Sequence, residues 1–112
     1  MSAARILAVD DNATIRRALA LRLGARGYEV ITAAHGAEAL EQINREAFDL
    51  VLLDLNMPGM NGLEGLRKVL AMPGGQRAAL MSGQATREIA EQALEAGAAG
   101  FVPKTLPGKS MI

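Results

Sequence analysis

The chain lacks many of the residues that protein chemistry most often uses. It has no Cys and no Trp, a single His, and only Tyr28, Phe48 and Phe101 as aromatic side chains. Without Cys there is no disulfide framework, no thiolate nucleophile and no Cys-based zinc or iron–sulfur site. One His leaves little room for a His-rich metal centre. So few aromatics offer no stacking platform for single-stranded bases. The charge balances, with Lys+Arg 12 against Asp+Glu 12. That argues against nucleic-acid binding through bulk electrostatics, which needs a basic excess or stripe. No apolar run approaches membrane-spanning length, and Met1 to Ile6 does not read as a secretory signal. The expected compartment is the cytoplasm, with no membrane partner.

What is present is aliphatic: 50% of the 112 residues are hydrophobic. That length predicts one domain, residues 1–112, with one modest core of Leu, Ile, Val, Ala and Met. Short apolar runs alternate with helical spacing. Ile6-Leu7-Ala8-Val9 reads as a strand buried on both faces, stopping at Asp10-Asp11. Ile15, Ala18, Leu19 and Leu23 then mark a helix, with Asn12 as N-cap and Gly27 as stop. Tyr28 to Thr32 reads as a second strand, and Ala37, Leu40, Ile43 and Ala47 as the face of a second helix. Leu50 to Leu53 forms a third strand ending on Asp54. Leu63, Leu66 and Leu70 mark a third helix, ended by Pro73-Gly74-Gly75.

Ala78 to Met81 is a fourth strand, poor in β-branched residues and so intrinsically weak, ending at Ser82-Gly83. Ile89, Ala90, Ala93 and Leu94 form a fourth helical face, closed by Gly97. Gly100-Phe101-Val102 is a fifth strand before Pro103-Lys104. Repeated β-α order predicts an α/β fold: a doubly wound parallel sheet with helices on both faces.

The C-terminal ends of parallel strands share one edge of a sheet. Asp10, Asp11, Asp54, Ser82 and Lys104 therefore converge, in the crevice where open α/β sheets place ligands. Each alone is unremarkable: a loop acid, a turn serine, a solvated lysine. Together they form a chemical set. Clustered carboxylates repel one another and need a counter-charge. Hard oxygen ligands without His or Cys suit Mg²⁺ or a similar ion. Lys104 and Ser82 suit phosphoryl oxygens. The set looks like a carboxylate nucleophile with a charge-neutralising metal, arranged for phosphoryl transfer.

These residues resemble the receiver domain of two-component response regulators. The resemblance runs from Arg5 to Ile112. It is carried by Val9-Asp10-Asp11, by the specific Asp-x-x-Met-Pro-x-Met-x-Gly pattern of Asp54 to Gly62, by Met81-Ser82-Gly83, and by Gly97 to Lys104. It implies the flavodoxin-like five-stranded sheet of order 2-1-3-4-5. It also implies that Asp54 accepts a phosphoryl group from a sensor histidine kinase or histidine phosphotransfer protein. Asp11 and Asp54 would hold Mg²⁺ (or Mn²⁺) directly, Asp10 largely through water, and Asn56 through its main-chain carbonyl. Ser82 and Lys104 would engage the phosphoryl oxygens. Phe101 would be the switch aromatic that follows Ser82, a position equally suited to an ordinary core ring. Phosphorylation adds about −1.5 to −2 charge at Asp54, which can bias such a two-state element. The domain would assist its own phosphorylation and dephosphorylation without being an enzyme on a separate substrate.

Three departures from the family pattern stand out. Thr105 follows Lys104 where many members have Pro. The fourth strand is Ala-rich. The fifth helix is nearly missing, with Pro107 suited to a first turn and only Gly108 to Ile112 after it. A truncated fifth helix is expected to leave one sheet face under-covered, favouring a homodimer or helix exchange, and an effector domain is absent from these residues.

Two competing readings are a phosphorylation-independent interaction module of the same fold and a phosphatase-type hydrolase. The intact acid set disfavours the first. The second needs a second acid two residues after the nucleophile, where Asn56 stands. Gly108-Lys109-Ser110 resembles the end of a P-loop, but Pro103 occupies the place of its first Gly. His35 reads as a surface turn residue. Arg16, Arg17, Arg22 and Arg26 make the first helix basic, either a solvated face or, by the resemblance, a docking face for the phosphodonor.

Overall fold

The computed structural model describes residues 3–54, 56–57, 60–82 and 87–103. Strand β1 (Arg5–Val9) leads into helix α1 (Ala13–Ala25), then β2 (Glu29–Ala33) and α2 (Gly36–Arg45). Next come β3 (Leu50–Asp54), two short strands β4 (Asn56–Met57) and β5 (Met60–Asn61), and α3 (Gly62–Ala71). The described chain closes with β6 (Arg77–Ser82), α4 (Arg87–Glu95) and β7 (Gly100–Pro103).

The main sheet has the order β2-β1-β3-β6-β7, every neighbouring pair parallel. This is the expected 2-1-3-4-5 arrangement once the β4–β5 pair is set aside. That antiparallel pair, Asn56 against Asn61 and Met57 against Met60, was not foreseen. The expected fifth helix falls on residues outside the described set.

Side chains alternate along each strand, so the sheet feeds two cores. Leu7, Val9, Val51, Leu53, Ala78 and Leu80 join Ala39 and Ile43 of α2, Leu66 and Val69 of α3, and Ala93 of α4. On the other side Ile6, Leu52, Ala79 and Met81 meet Leu19 and Leu23 of α1. Leu19 and Leu23 of the expected α1 face are thus the packed residues, and all four residues of that face are only half-buried. The Ala-rich β6 is buried from Ala78 to Ser82 between β3 and β7. Its place inside the sheet overrides its weak strand propensity.

Three helix faces differ from the sequence pattern. In α2 the buried residues are Gly36, Ala39 and Ile43, whereas Ala37 is exposed and Ala47 lies beyond the helix. In α3, Val69 is buried and Leu70 is 37% exposed. In α4, Ala93 is buried and Leu94 is 55% exposed. Successive helical residues lie about 100° apart, so burying Val69 or Ala93 turns the next leucine outward.

Helices α1 and α4 end alike. Gly27, with φ 94°, lets its own N–H reach the Gly24 carbonyl and the Tyr28 N–H reach the Leu23 carbonyl. Gly97, with φ 103°, places its N–H on Leu94 and that of Ala98 on Ala93. Both are Schellman closures, which need a residue tolerant of positive φ.

At the edge where β1 begins, Arg5 ties several elements together. Its guanidinium donates to the Ala47 carbonyl at 3.0 Å and to Glu46 at 2.6 Å, and lies 3.4 Å from Glu29. It also sits 5.1 Å from the Phe48 ring centroid, within cation–π range. The hydrogen bond with Glu46 is the main influence raising the Arg5 pKa.

Candidate functional site

The site grows from the ends of β1, β3 and β6. β1 runs out at Val9, and the Asp10 N–H still reaches the Ala33 carbonyl of β2 at 3.1 Å. Asp10 is thus fixed as the last ladder residue, wholly buried. One of its carboxylate oxygens, Oδ1, accepts the Asn12 N–H at 2.9 Å, which folds the chain into α1. Asn12 then caps that helix, its Oδ1 accepting from Thr14 N at 2.8 Å and Ile15 N at 3.2 Å. This bears out the expected N-cap.

Asp54 ends β3 and is 2% exposed. It lies one position beyond Leu53, the partner of Val9. Ser82 ends β6, also wholly buried, in register with Pro103 of β7. Asp11 is exposed. Carboxylate oxygens of Asp10, Asp11 and Asp54, one from each, all lie within 4.8 Å of one another. Three acids brought this close repel strongly in the folded state, the more so because two of them are removed from water. An all-oxygen donor set of this kind fits a small hard divalent cation.

The β4–β5 pair places Asn56 two residues past Asp54, in register with Asn61. Phe101 stands opposite Leu80 in β7, and only its main chain is described. Lys104 lies outside the described residues. The structure therefore brings Asp10, Asp11, Asp54 and Ser82 to one sheet edge, and places the main chains of Asn56 and Phe101.

Two side-chain roles, one at the acid turn and one at the start of α2, escaped the sequence. The Arg16 side chain donates from Nη1 to the Asp10 carbonyl at 2.7 Å, so it reaches back to the acid turn. His35 is the N-cap of α2, its Nδ1 accepting the Glu38 N–H at 3.2 Å, while the Glu38 carboxylate accepts the Ala34 N–H at 2.7 Å. A Glu three residues after a capping residue was the available signal for that reciprocal cap.

The family model for the response regulator receiver domain matches residues 6–112. The chain belongs to that family. This receiver is 40% identical over 102 residues to the transcriptional regulatory protein KdpE of Mycobacterium tuberculosis, covering 88% of this chain and 43% of that protein. It therefore spans less than half the length of that relative. Among solved structures, it is similar to the chemotaxis protein CheY4 of Vibrio cholerae, with a TM-score of 0.87 and 33% identity, covering 94% of this chain and 89% of that one. A response regulator protein from Burkholderia pseudomallei, solved with a phosphorylated aspartic acid, a calcium ion and citrate, aligns with a TM-score of 0.83 and 29% identity. That alignment covers 92% of this receiver and 61% of the Burkholderia chain. The receiver is a signalling domain with the flavodoxin-like α/β fold, and its acidic pocket is Asp10, Asp11 and Asp54. Among the described residues no helix is long and apolar enough to cross a membrane.

Proposed function

We propose that this receiver is a divalent-metal-dependent phosphoacceptor switch, with Asp54 as the residue that takes the phosphoryl group. The observation that carries this is the convergence of Asp54 with Asp10 and Asp11, within 4.8 Å, beside the buried Ser82. The Burkholderia relative with its phosphorylated aspartate and calcium ion supports the same reading.

The donor is a phosphohistidine of a sensor histidine kinase or histidine phosphotransfer protein. Asp54 attacks through a carboxylate oxygen. A P–O bond forms to Asp54 as the donor's P–N bond breaks, and the imidazole nitrogen keeps the electron pair and takes up a proton. Asp10, Asp11, Asp54 and the Asn56 main-chain carbonyl are the residues to hold Mg²⁺ or Mn²⁺. When bound, the ion offsets negative charge gathering on the phosphoryl oxygens. Asp10 has one oxygen engaged by Asn12 N–H, which suits it to contact through water more than to direct ligation. Asp11 and Asp54 would be the direct ligands.

Ser82 donates its hydroxyl hydrogen to a phosphoryl oxygen, and Lys104 pairs with another. Movement of Ser82 toward that oxygen draws on the end of β6, and Phe101 in the adjacent β7 follows. The compartment is the cytoplasm, where such donors act. In a longer protein the output would belong to a further domain, and a transcriptional output is compatible with the KdpE relative.

Incubation of the purified chain with acetyl phosphate and Mg²⁺, read by intact mass, tests the assignment. Wild type should gain one phosphoryl group and Asp54→Ala none. No gain on wild type, or an equal gain on Asp54→Ala, overturns it.

A further inference from the structure

We infer that Arg16 is a positioning residue for the acidic pocket: it holds the Asp10–Asp11 peptide so that the Asp11 carboxylate stays turned toward Asp10 and Asp54. The inference deepens the metal-site reading above and rests on it.

The three acids are fixed in unequal ways. Asp10 and Asp54 are buried at strand ends, and Asp10 is held on both sides by Ala33 and Asn12. Asp11 is exposed, and among the described residues no hydrogen bond or ion pair holds its carboxylate. Its oxygen nevertheless lies within 4.8 Å of the other two. With repulsion pushing it away, its place must be set by the main chain.

Arg16 controls that main chain. A closed hydrogen-bonded ring joins three residues. Asn12 N–H donates to Asp10 Oδ1 at 2.9 Å, Arg16 N–H donates to the Asn12 carbonyl at 3.1 Å, and Arg16 Nη1 donates to the Asp10 carbonyl at 2.7 Å. The Asp10 carbonyl and the Asp11 N–H and Cα share one rigid peptide plane. Pinning the oxygen therefore restricts rotation of the plane that aims Asp11. Asp10 is covered, but its bond to Arg16 is only part-buried and Arg16 itself is half-exposed, so water can take the guanidinium's place once the side chain is cut back. Removing Arg16 should thus free the turn more than it destabilises the fold.

Charge makes this inference sharp. A guanidinium this near the pocket opposes a divalent cation, so removing it should tighten metal binding if charge were its whole effect. A positioning role predicts the opposite sign. The test is the Mn²⁺ dissociation constant from the free-ion electron paramagnetic resonance signal, for wild type, Arg16→Ala, Arg16→Lys and Asp11→Asn. Alongside it, metal-free hydrogen exchange is read at the Asn12 and Leu53 amides.

Arg16→Ala should weaken Mn²⁺ binding about tenfold, the usual scale for a partner that orients a metal ligand. Arg16→Lys, which keeps the charge and one donor, should fall between that variant and wild type. Asn12 exchange should quicken in Arg16→Ala while Leu53 exchange is unchanged. Arg16→Ala binding as tightly as wild type or tighter overturns the inference. So does Arg16→Lys binding no better than Arg16→Ala, and so does equal quickening at Leu53, which marks a general loss of stability. If wild type itself fails to bind Mn²⁺, the metal reading falls, whereas the Asn12 exchange still decides whether Arg16 holds the turn.

Discussion

At the scale of single residues, small polar groups at strand ends do more than their types announce. Asn12 links the acid turn to the helix, giving its N–H to Asp10 and its side chain to Thr14 and Ile15. Asn12→Ala should lower stability by about 1 kcal/mol in urea unfolding, the typical loss for a side-chain cap. His35 is a weaker cap through Nδ1. His35→Ser should leave stability equal or higher, because Ser is among the side chains whose short reach best suits the N-cap, while phosphorylation from acetyl phosphate is unchanged. Reduced phosphorylation in that variant would contradict the purely structural role. Asn12 was legible because its residue type announces a cap before a helical pattern. His35 was not, since an imidazole caps only in one tautomer and a turn position looks the same. Arg16 was hidden for a different reason: its target is a main-chain carbonyl six residues back, and no side-chain pattern encodes such a contact.

At the scale of elements, the helix exits are as well determined as the entries. Gly27 and Gly97 both sit at positive φ in Schellman closures. Gly27→Ala and Gly97→Ala should each cost about 1–2 kcal/mol, the penalty for an L side chain in the left-handed region, measured as a shift in unfolding midpoint. A Cβ at Gly97 would also meet Leu70 Cδ1 at 3.1 Å. That contact should add little, because Leu70 is partly exposed and can move aside. Both glycines were readable as stops, since little else follows a helical run so abruptly. The buried faces were read less well. Ala93 of the expected α4 face is buried, but Leu70 and Leu94, which also fit an i, i+3, i+4 pattern, turn outward, and the sheet receives Val69 in α3. Hydrophobic spacing defines a stripe, and the helix's rotation over the sheet decides which side of that stripe is dry. In α4 the small Ala93 lets the helix approach more closely than leucine would.

At the scale of the whole molecule, alternation of strand and helix was enough to predict a parallel sheet, and the acids at strand ends were enough to predict a shared edge. Strand order came through family resemblance, because β-α units alone do not dictate which strand lies where. How close the carboxylates stand could not be read from spacing, since it depends on the register of β1 against β3. Gathering like charges in a partly dry pocket makes the fold sensitive to what fills it. Any cation bound there and not by the unfolded chain stabilises by linkage, about 2.7 kcal/mol at a concentration one hundred times its dissociation constant. Adding Mg²⁺ should therefore raise the melting temperature of wild type, and Asp11→Asn should show a smaller rise.

The placement of Tyr28 bears on how such changes can be watched. It follows the Gly27 closure at the start of β2, 41% exposed, in a chain without Trp. The five residues of β2 separate it from the level of Asp10, about 20 Å at the usual rise per residue. Ultraviolet emission from the native chain thus comes almost wholly from one ring at the edge opposite the acids. That light should be indifferent to a paramagnetic or diamagnetic ion in the pocket and responsive to loss of the fold. The molecule carries its own optical reporter of unfolding, uncontaminated by events at the site.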